Sequence, residues 1–459
     1  MAEFKRKLEE KLNNWRHSAN RKPLVIRGAR QVGKTTLIRR FGKQFDTFIE
    51  LNLEKSEDLS LFQRSLNAAD LIQYICLTKN IKRNGETLLF IDEIQNSPEA
   101  VKMLRYFYEE IPDIYVISAG SLLEIMMDKH KISFPVGRVE YRYLFPLSFE
   151  EFLWAVGETQ LAEYYNQIPI PIIAHEPLMK MFRLYTFIGG MPEAVSRYRD
   201  TRDLSLLSDI YAGLVTSFQD DTGKYASNRH EEQIIRHVIE TAPAECTNRI
   251  TFQNFGNSGF SSKDVGNALR TLERAMLVYL RYPITSPTLP LLPDLKLKPH
   301  LQILDSGLLC HSVGITSLYY DEQSSSDTYN GRLAEQIVGQ ELLATNSDFE
   351  LRKPAFWTRE KKQSNSEIDF IFVDKGRVYP IEVKSGSTGK LRSLHSYINN
   401  SEASFAIRLY SGEYSVDNLV TPIVGDTGGK PYTLLNLPLY CAGKIGEYVD
   451  MMKNLTVSP

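Results

Sequence analysis

One loop constrains the fold of this chain more than any other part of its sequence. Residues Gly28–Thr35 match the spacing G-x-x-x-x-G-K-[ST], with an apolar strand pattern, Pro23–Arg27, before them and a helical pattern from Lys34 onwards. Glycines let the backbone of such a loop wrap closely around phosphates, while N–H groups of the loop and of the helix N-terminus face the anion. The sequence therefore predicts a strand, a phosphate-binding loop and a helix within an α/β fold.

The whole loop is a candidate nucleotide-binding segment. Its candidate residues are Gly28, Ala29, Arg30, Gln31, Val32, Gly33, Lys34, Thr35 and Thr36. Lys34 is expected to reach the terminal phosphates of ATP as a point charge, and Thr35 to offer its hydroxyl to Mg²⁺. A chance glycine-rich turn is the competing explanation, but it does not account for the flanking strand and helix.

A second motif supplies the acidic half of the predicted site. Leu88–Ile91 reads as a strand that is buried on both faces, and Asp92 and Glu93 follow at its carboxyl end. Ligands of open α/β sheets bind at that edge. We expect Asp92 to hold Mg²⁺ and Glu93 to orient the attacking water, both as catalytic residues. An exposed acidic strand end is the alternative.

Two further segments provide weaker candidates for the same site. The strand pattern Tyr115–Ala119 ends in small hydroxyl residues, and Ser118 or Ser121 could position the water beside the γ-phosphate. A plain strand-to-loop turn explains these serines equally well. Arg138 follows Gly137 in a loop, where an arginine could complete a neighbouring protomer's site in trans. A surface ion pair is the competing account of Arg138.

The alternation of strand and helix patterns predicts the organisation of the chain. Strand and helix alternate through the first part, which favours a parallel sheet with helices on both faces. A mostly helical stretch follows, then three short helices and a strand that resemble a winged helix. The polar stretch Asp321–Asp327 is a predicted linker. The expected domains are an ATPase core at 1–155, a helical lid at 156–225, a winged-helix-like segment at 226–320 and a C-terminal α/β domain at 321–459.

Composition excludes several classes of protein. The 459 residues carry a net charge of −2, so no global basic field indicates nucleic acid, and the winged-helix-like segment has balanced charges. The four cysteines lack the spacing of a zinc site or a redox motif. No apolar run approaches the roughly 20 residues that cross a bilayer. We therefore expect a cytoplasmic protein without a membrane partner. Residues 1–30 carry nine Lys or Arg, Lys5, Arg6 and Lys7 among them, against three Glu, and this basic patch is interpreted as a solvated helix face.

The C-terminal part contains a second set of candidate catalytic residues. Glu335 lies on a predicted helix and Asp369 on a predicted strand, and Glu382 and Lys384 share one face of the next strand because side chains alternate there. This order of residues resembles the PD-(D/E)xK nuclease superfamily. The resemblance implies Mg²⁺ held by Glu335, Asp369 and Glu382, with Lys384 near the nucleophile. A surface ion pair between Glu382 and Lys384 is the alternative.

Several strings together resemble one family, the AAA+-type bacterial and archaeal ATPases with a C-terminal domain of unknown function. Besides the C-terminal residues, the strings are Gly28–Thr36, Leu89–Gln95, Ser118–Leu123, Gly137–Arg138, Leu147–Phe152, Phe187–Ala194 and Leu304–Leu308. The resemblance implies an ATPase core, a helical lid, a winged-helix segment and a nuclease-like C-terminal fold.

Two functions are compatible with these motifs. The first is an ATP-driven machine that acts on DNA or RNA, with Mg²⁺ at both sites. The second is a nucleotide-dependent switch that binds a protein partner or a homo-oligomer neighbour, with a catalytically silent C-terminal domain. A small-molecule kinase leaves the extra domains unexplained. Convergence of the four C-terminal residues in an open cleft would favour the first function.

Overall fold

The computed structural model describes residues 3–64, 66–121, 123, 125, 133–320, 327–346, 349–361, 364–386, 389–423 and 429–457. By its internal contacts the chain divides into two compact units. The first unit comprises residues 1–147, 271–277 and 347–351, and the second comprises 148–270, 278–346 and 352–459. The predicted linker, Asp321–Asp327, lies mostly outside the described residues. In the described part of the chain, no helix is both long and apolar enough to span a membrane.

A parallel sheet forms the centre of the first unit. Its strands are β1 (Leu24–Arg27), β2 (Thr47–Asn52), β3 (Thr87–Asp92), β4 (Tyr115–Gly120) and β5 (Glu140–Tyr143). Their order in the sheet is β2-β3-β4-β1-β5, and every pairing is parallel. The helices of this unit include α1 (Leu8–Arg16), α2 (Lys34–Gly42), α3 (Ser56–Phe62), α4 (Ala68–Thr78) and α5 (Pro98–Glu110). This architecture confirms the predicted α/β fold with a parallel sheet.

Burial on both faces explains why β3 and β4 are apolar throughout. Every residue of these two strands is buried. On one face, Leu89 and Ile91 pack in a core cluster with Leu104 and Phe107 of α5. Parallel strands covered by helices on both sides need such continuous apolar runs. Their carboxyl ends lie at one edge of the sheet, which brings together the residues that follow β1, β3 and β4.

The fifth strand was not predicted from the sequence. β5 pairs in parallel with β1, with Leu24 opposite Glu140 and Arg27 opposite Tyr143. Its four residues alternate between charged and aromatic types and have no apolar run. The pairing was therefore decided by the neighbouring strand β1, because the local sequence of β5 lacks a strand signal.

The second unit begins with helices. They are α6 (Phe149–Val156), α7 (Thr159–Tyr165), α8 (His175–Ile188), α9 (Pro192–Thr201), α10 (Ser208–Asp220) and α11 (Thr222–Tyr225). At the start of α6, Oε2 of Glu151 accepts from the backbone N–H of Ser148 over 3.0 Å, as in one half of a capping box. The mostly helical character predicted for this stretch is observed.

Two helices and a small antiparallel sheet follow. The helices are α12 (Arg229–Thr241) and α13 (Ser262–Arg274), and the strands are β6 (Val278–Arg281) and β8 (His300–Ile303). Between the strands lies β7 (Pro283–Ile284), which joins a different sheet. An isolated bridge also links Arg249 to His300. The chain thus passes through helix, bridge, helix and a strand pair in succession.

A seven-stranded mixed sheet dominates the C-terminal part. Its order is β13-β14-β12-β11-β10-β9-β7, with β9 (Ala355–Lys361), β10 (Ser364–Asp374), β11 (Arg377–Val383), β12 (Phe405–Tyr410), β13 (Ser415–Val420) and β14 (Pro431–Pro438). The helices are α14 (Ser306–Ser312), α15 (Asp327–Asn346), α16 (Arg392–Asn399) and α17 (Ile445–Val457). Trp357 of β9 meets Tyr397 of α16 edge to face, with ring centroids 5.2 Å apart, within the core of this sheet.

Candidate active sites

The predicted phosphate-binding loop lies between β1 and α2 and requires glycine at both ends. A Cβ atom on Gly28 would lie 2.3 Å from the carbonyl oxygen of Leu144, so no larger residue fits without moving that backbone. Gly33 has φ of 96°, in the left-handed region, and α2 begins at the next residue. The loop therefore ends in the N-terminal turn of a helix, as an anion-binding segment does.

Lys34 is enclosed by the loop that it is predicted to serve. Its side chain is buried, and its Nζ donates hydrogen bonds to the carbonyl oxygens of Gly28 and Ala29, each over 2.8 Å. Burial lowers the pKa of Lys34 to about 8, although the carboxylates of Glu93 and Asp92 act in the opposite direction. The ammonium group thus lies within the loop, close to both acidic residues of the second motif.

Thr35 and Asp92, the two residues predicted to hold Mg²⁺, are in direct contact. The Thr35 hydroxyl donates to Oδ2 of Asp92 over 2.8 Å. Burial, together with the charge of Glu93, raises the pKa of Asp92 to about 6, and the Thr35 hydrogen bond partly offsets this rise. A hydroxyl and a carboxylate are hard oxygen ligands, the type that Mg²⁺ prefers, so these two residues fit that ion.

Gln95 contacts Glu93 and was not among the residues predicted for the site. Glu93 has φ of 52°, which is rare for a residue with a side chain, and its Oε2 accepts from Nε2 of Gln95. Gln95 is buried, and within the described ranges its Oε1 has no hydrogen-bond partner. A Cβ on Gly120 would lie 2.0 Å from that Oε1. Because Gly120 has no side chain, Gln95 can occupy the space beside it. The only sign of this contact in the sequence was a glutamine shortly after Asp92 and Glu93.

The two candidate serines have different surroundings. Ser118 is buried in the sheet, where its hydroxyl donates to the carbonyl oxygen of Leu24 over 3.4 Å. Ser121 directly follows β4 and is half-buried at the carboxyl edge of the sheet. The hydroxyl of Ser118 is thus engaged between strands, and Ser121 is the better placed of the two to meet a ligand.

Two arginines of the first unit make contacts that bear on how the sequence was interpreted. Arg138 is partly exposed and pairs with Glu109, Nε to Oε1 over 2.7 Å, as the surface ion-pair explanation required. Arg6 is buried, so the interpretation of its segment as a solvated face is wrong at this position. Its guanidinium donates to the carbonyl oxygens of Val32, over 2.9 Å, and Phe145, over 2.7 Å. Arg6 therefore links the backbone of the loop at Val32 to the backbone at Phe145.

The fold brings the four C-terminal candidates together. Glu335 lies on α15, Asp369 on β10, Glu382 on β11 and Lys384 just after β11. Burial raises the pKa of Asp369 well above its ordinary value, and the charges of Glu382 and Glu335 add to the rise. These charges act on Asp369 only because the carboxylates lie near one another. The carboxylates therefore lie near one another, but Glu382 is buried and does not stand in an open cleft, which was the arrangement that would favour a nuclease.

Hydrogen bonds fix the strand side of this centre. Oδ2 of Asp369 accepts from the backbone N–H of Val383 over 2.7 Å, and Nζ of Lys384 donates to Oε1 of Glu382 over 2.5 Å. Burial raises the pKa of Glu382, and Lys384 works against that shift. Burial disfavours the ammonium of Lys384, yet the neighbouring Glu382 carboxylate leaves its pKa raised overall. Glu382 and Lys384 therefore form a half-buried ion pair.

The sequence analysis missed basic residues that hold the other carboxylates. Nη2 of Arg281, on β6, donates to Oε1 of Glu335 over 2.5 Å, and Nη1 donates to the backbone oxygen of Asp369 over 3.1 Å. Nε2 of His300, on β8, lies 2.8 Å from Oε1 of Glu367. The only sequence signal was a lone arginine in the apolar strand Val278–Arg281, because a buried guanidinium needs an acidic partner.

The centre fits a metal ion only in part. Within the described ranges, no three His, Cys, Asp or Glu side chains are grouped so that they could hold a metal ion. Glu335 is engaged by Arg281 instead. Oε2 of Glu382, however, is buried and has no hydrogen-bond partner among the described residues. Asp369 and Glu382 therefore fit a divalent cation, whereas Glu335, also expected as a ligand, is paired with Arg281.

A cavity of about 610 Å³ lies elsewhere in the second unit. It is lined by the beginning of β11, with Arg377 and Tyr379, and by Phe405 and Lys453. Glu382 and Lys384 lie at the opposite end of β11. The cavity is therefore separate from the carboxylate centre.

Two of the strings that carried the family resemblance have a structural role in the second unit. Asp305 is fully buried, and its carboxylate accepts from the backbone N–H of Gly190 over 2.6 Å and of Leu308 over 3.0 Å. This carboxylate joins the string Phe187–Ala194 to the string Leu304–Leu308. These residues hold the fold of the unit together.

Comparisons with known proteins agree with the geometry of the first unit. The AAA domain family matches residues 20–153. Two families that are both described as domains of unknown function, DUF8612 and DUF4143, match residues 179–319 and 330–423. No curated protein matches the chain.

Among solved structures, the chain is similar to the Walker-type ATPase PABY2304 of Pyrococcus abyssi, with 15% identity, coverage of 68% of this chain and 96% of that one, and a TM-score of 0.44. The Thermotoga maritima RuvB Holliday junction branch migration motor has 16% identity, coverage of 61% and 90%, and a TM-score of 0.27. The Aeropyrum pernix ORC1 protein, solved in complex with DNA, has 12% identity, coverage of 69% and 91%, and a TM-score of 0.28.

Proposed function

Residues 20–153 form an AAA domain of the P-loop ATPase type, and from this premise we propose that the chain is a Mg²⁺-dependent ATPase whose nucleotide state controls a nuclease-like module acting on nucleic acid. One observation carries the ATPase part. The Thr35 hydroxyl, the Asp92 carboxylate and the Lys34 ammonium lie together at the carboxyl edge of a parallel sheet, next to Glu93. This is the set of groups that phosphoryl transfer from ATP to water requires.

Each residue has a distinct task in the proposed reaction. Lys34 leaves the carbonyl oxygens of Gly28 and Ala29 and neutralises the terminal phosphates of ATP. Thr35 and Asp92 would hold Mg²⁺, which would supply positive charge to neutralise the phosphates. Glu93 orients the attacking water, and Gln95 fixes the position of Glu93 through its Nε2 group. Gln95 is a positioning residue, since it acts through Glu93.

The ATPase assignment is tested by Lys34→Ala. We expect turnover of ATP to fall at least about 100-fold, because the charge that stabilises the phosphates is lost. The matched control is Lys43→Ala, which removes a lysine that is exposed, pairs with Glu3 and directly follows α2. Normal turnover in the Lys34 variant would refute the assignment, and loss of turnover in both variants would point to a folding defect.

In the C-terminal centre, Asp369 and Glu382 would hold Mg²⁺, and the ion would activate water for phosphodiester cleavage. Lys384 would lie near the nucleophile. The support is the convergence of these residues together with the unpartnered Oε2 of Glu382. We expect Asp369→Asn to abolish Mg²⁺-dependent DNA cleavage. The matched control is Asp374→Asn. It removes a carboxylate on the same strand that pairs with Lys453, and this variant should retain cleavage. Unchanged cleavage in the Asp369 variant would indicate a contaminating nuclease.

A nucleotide-dependent switch with a silent C-terminal domain is the second candidate. The contact between Arg281 and Glu335 favours it, because this contact engages one of three expected metal ligands. The ATPase rate distinguishes the two functions when it is measured with single-stranded DNA, duplex DNA and RNA. Stimulation supports action on nucleic acid. An unchanged rate, together with no cleavage, supports a switch that binds a protein.

Arg138 provides a further proposal about assembly. We propose that it acts in trans on a neighbouring protomer after leaving Glu109, since its side chain is partly exposed on a loop. Arg138→Ala should then lower ATP turnover, and mixing it with an Asp92→Asn variant should restore part of the activity. Turnover equal to that of the unmodified protein would show that Arg138 only forms the surface ion pair.

A further inference from the structure

We infer that Arg408 binds a phosphate group of the nucleic acid on which the nuclease-like centre acts, with its guanidinium as the contacting group. This inference rests on the proposed function of the C-terminal centre and deepens it. It adds a substrate-binding residue on β12, a strand that supplied no candidate residue to the nuclease resemblance.

The register of the strands places Arg408 beside the centre. β12 pairs in parallel with β11 and with β14, and Arg408 is aligned with Glu382 on one side and with Asn436 on the other. Aligned residues of neighbouring strands project to the same face of a sheet, so these three side chains form a row. The row lies within two residues of the carboxyl ends of all three strands. This is the edge at which parallel strands bind their ligands.

Arg408 is a cation without an acidic partner. Its side chain is half-buried and lies over the ring of Tyr410, with the guanidinium carbon 4.5 Å from the ring centroid. Nε is buried without an acceptor, and in the described part of the chain the guanidinium forms no hydrogen bond and no ion pair. By contrast, two other cations of this centre, Arg281 and Lys384, donate to carboxylates. Arg408 therefore carries a charge that no described residue compensates.

The carboxylates beside this row have other partners. Glu382 accepts from Lys384 over 2.5 Å, and Oδ2 of Asp417, on β13, accepts from Nδ2 of Asn436 over 2.7 Å. Burial disfavours the Lys384 ammonium, and although Glu382 leaves the pKa of Lys384 raised overall, the charge of Arg408 acts with burial to lower it. The two cations therefore lie close enough to repel each other, and an anion that reaches both would relieve this repulsion.

The guanidinium of Arg408 suits a phosphate group. A guanidinium donates two parallel N–H bonds to phosphate oxygens and keeps its charge at all relevant pH values. Tyr410 fixes the plane of the group, because this tyrosine is buried and its hydroxyl donates to the carbonyl oxygen of Glu413 over 2.5 Å. A phosphate held by Arg408 would lie beside Glu382 and Lys384, which are the residues proposed for phosphodiester cleavage.

The first test measures binding of a fluorescent oligonucleotide to the full-length protein, without nucleotide or metal, at several salt concentrations. The oligonucleotide is the duplex DNA, single-stranded DNA or RNA that the unmodified protein binds most tightly. We expect Arg408→Gln to weaken the affinity about tenfold and to lower the number of counterions released by about one. Arg408→Lys should retain the counterion number, because it keeps the charge, and lose part of the affinity. The matched control, Arg377→Gln, removes an exposed arginine at the opposite end of β11 and should change neither quantity.

The second test uses the unmodified protein, so it does not depend on the folding of a variant. Phenylglyoxal modifies accessible arginines, and mass spectrometry measures the extent at each one. The oligonucleotide should slow the modification of Arg408 at least about threefold and leave that of Arg377 unchanged. Inorganic phosphate at the same phosphate concentration should protect Arg408 less. Equal protection by inorganic phosphate would assign the site to small phosphate compounds and overturn the inference.

Failure of the inference can be distinguished from failure of the proposed function. If the protein binds none of the three nucleic acids, action on nucleic acid is wrong and the inference is wrong with it. If the protein binds one of them, while Arg408 stays unprotected and Arg408→Gln changes neither the affinity nor the counterion number, the proposed function stands and only the role of Arg408 is refuted.

Discussion

At the scale of single residues, the ATP site contains a carboxyl group whose ionisation is unfavourable for the folded chain. Burial raises the pKa of Asp92 from its ordinary value of 3.8 to about 6. The folded protein therefore holds this proton more tightly than the unfolded chain does. The contribution of Asp92 to folding is most favourable below about pH 4 and is lost as the pH rises through about 6. Above that pH the ionised carboxylate destabilises the nucleotide-free protein.

The prediction is that Asp92→Asn stabilises the protein in a pH-dependent way. Without nucleotide or Mg²⁺, the gain in unfolding free energy should be about 1 kcal/mol larger at pH 7.5 than at pH 5, because Asp92 is ionised only at the higher pH. Urea unfolding at the two pH values measures this difference. Equal gains in unfolding free energy at both pH values would show that the pKa of Asp92 is not raised in the folded protein.

Gly120 is the second residue whose exact side chain matters. Gly120→Ala places a Cβ where Oε1 of Gln95 lies, so Gln95 must move and release Glu93. We expect the turnover number for ATP to fall about 10- to 100-fold, while the dissociation constant of a non-hydrolysable analogue stays within about threefold. Gln95→Ala should reproduce this pattern. A variant that loses nucleotide binding instead would show that Gly120 supports the fold of the site and does not act through Glu93.

At the scale of elements, the turn between α8 and α9 shows how the second unit is built. Gly189 has φ of 73°, and a Cβ on it would lie 2.1 Å from Oδ1 of Asp305. The next N–H group, from Gly190, donates to the same carboxylate over 2.6 Å. The turn and the buried carboxylate therefore fit only with glycine at this position.

Gly189→Ala should lower the unfolding free energy by about 2 to 4 kcal/mol, since it combines left-handed backbone strain with displacement of a buried carboxylate. The matched control is Gly213→Ala in the middle of α10, where a new Cβ meets nothing within 4 Å. Helix propensity predicts that this control stabilises the protein by about 0.5 to 1 kcal/mol. Denaturant unfolding measures both, and a Gly189 variant as stable as the parent would contradict the role of the turn.

At the scale of the whole molecule, action on nucleic acid needs a surface that binds it. The elements from α12 to β8 include two helices and an antiparallel strand pair, and α13 is the second of these helices. Lys263, Asn267 and Arg270 are exposed on α13 at intervals of four and three residues, which places them on one face. Val265 and Leu269 are buried on the other side. Although the segment has balanced charges, this face carries two cations and no acid.

If the proposed function is correct, Lys263→Glu and Arg270→Glu should each reduce the stimulation of ATP turnover by duplex DNA. Each should also lower the number of counterions released on DNA binding by about one, which makes the affinity for DNA less dependent on salt concentration. Basal turnover should stay unchanged. Lys180→Glu, which alters an exposed lysine on α8, is the matched control and should have no effect. If duplex DNA still stimulates ATP turnover in both variants, the surface that contacts DNA lies elsewhere on the protein.

How far the sequence predicted the structure depends on the distance between interacting residues along the chain. Gly28–Thr35 and Asp92 were found because each lies in a short segment whose local pattern has a direct chemical reason. Gln95 and Gly120 lie 25 residues apart and have no shared pattern, so their contact could not be predicted. β5 was missed for a similar reason, because its pairing with β1 is decided by a strand more than 100 residues away.

The sequence by itself determined the α/β class, the phosphate-binding loop and the acidic strand end, since regular periodicity and fixed spacing encode them locally. It also indicated which C-terminal residues would converge. Only the tertiary structure decided what those residues contact. Arg281 lies 54 residues from Glu335 in the chain, yet the fold brings them within hydrogen-bonding distance. A carboxylate's role depends on the charges around it, and those charges come from distant elements that only folding brings together.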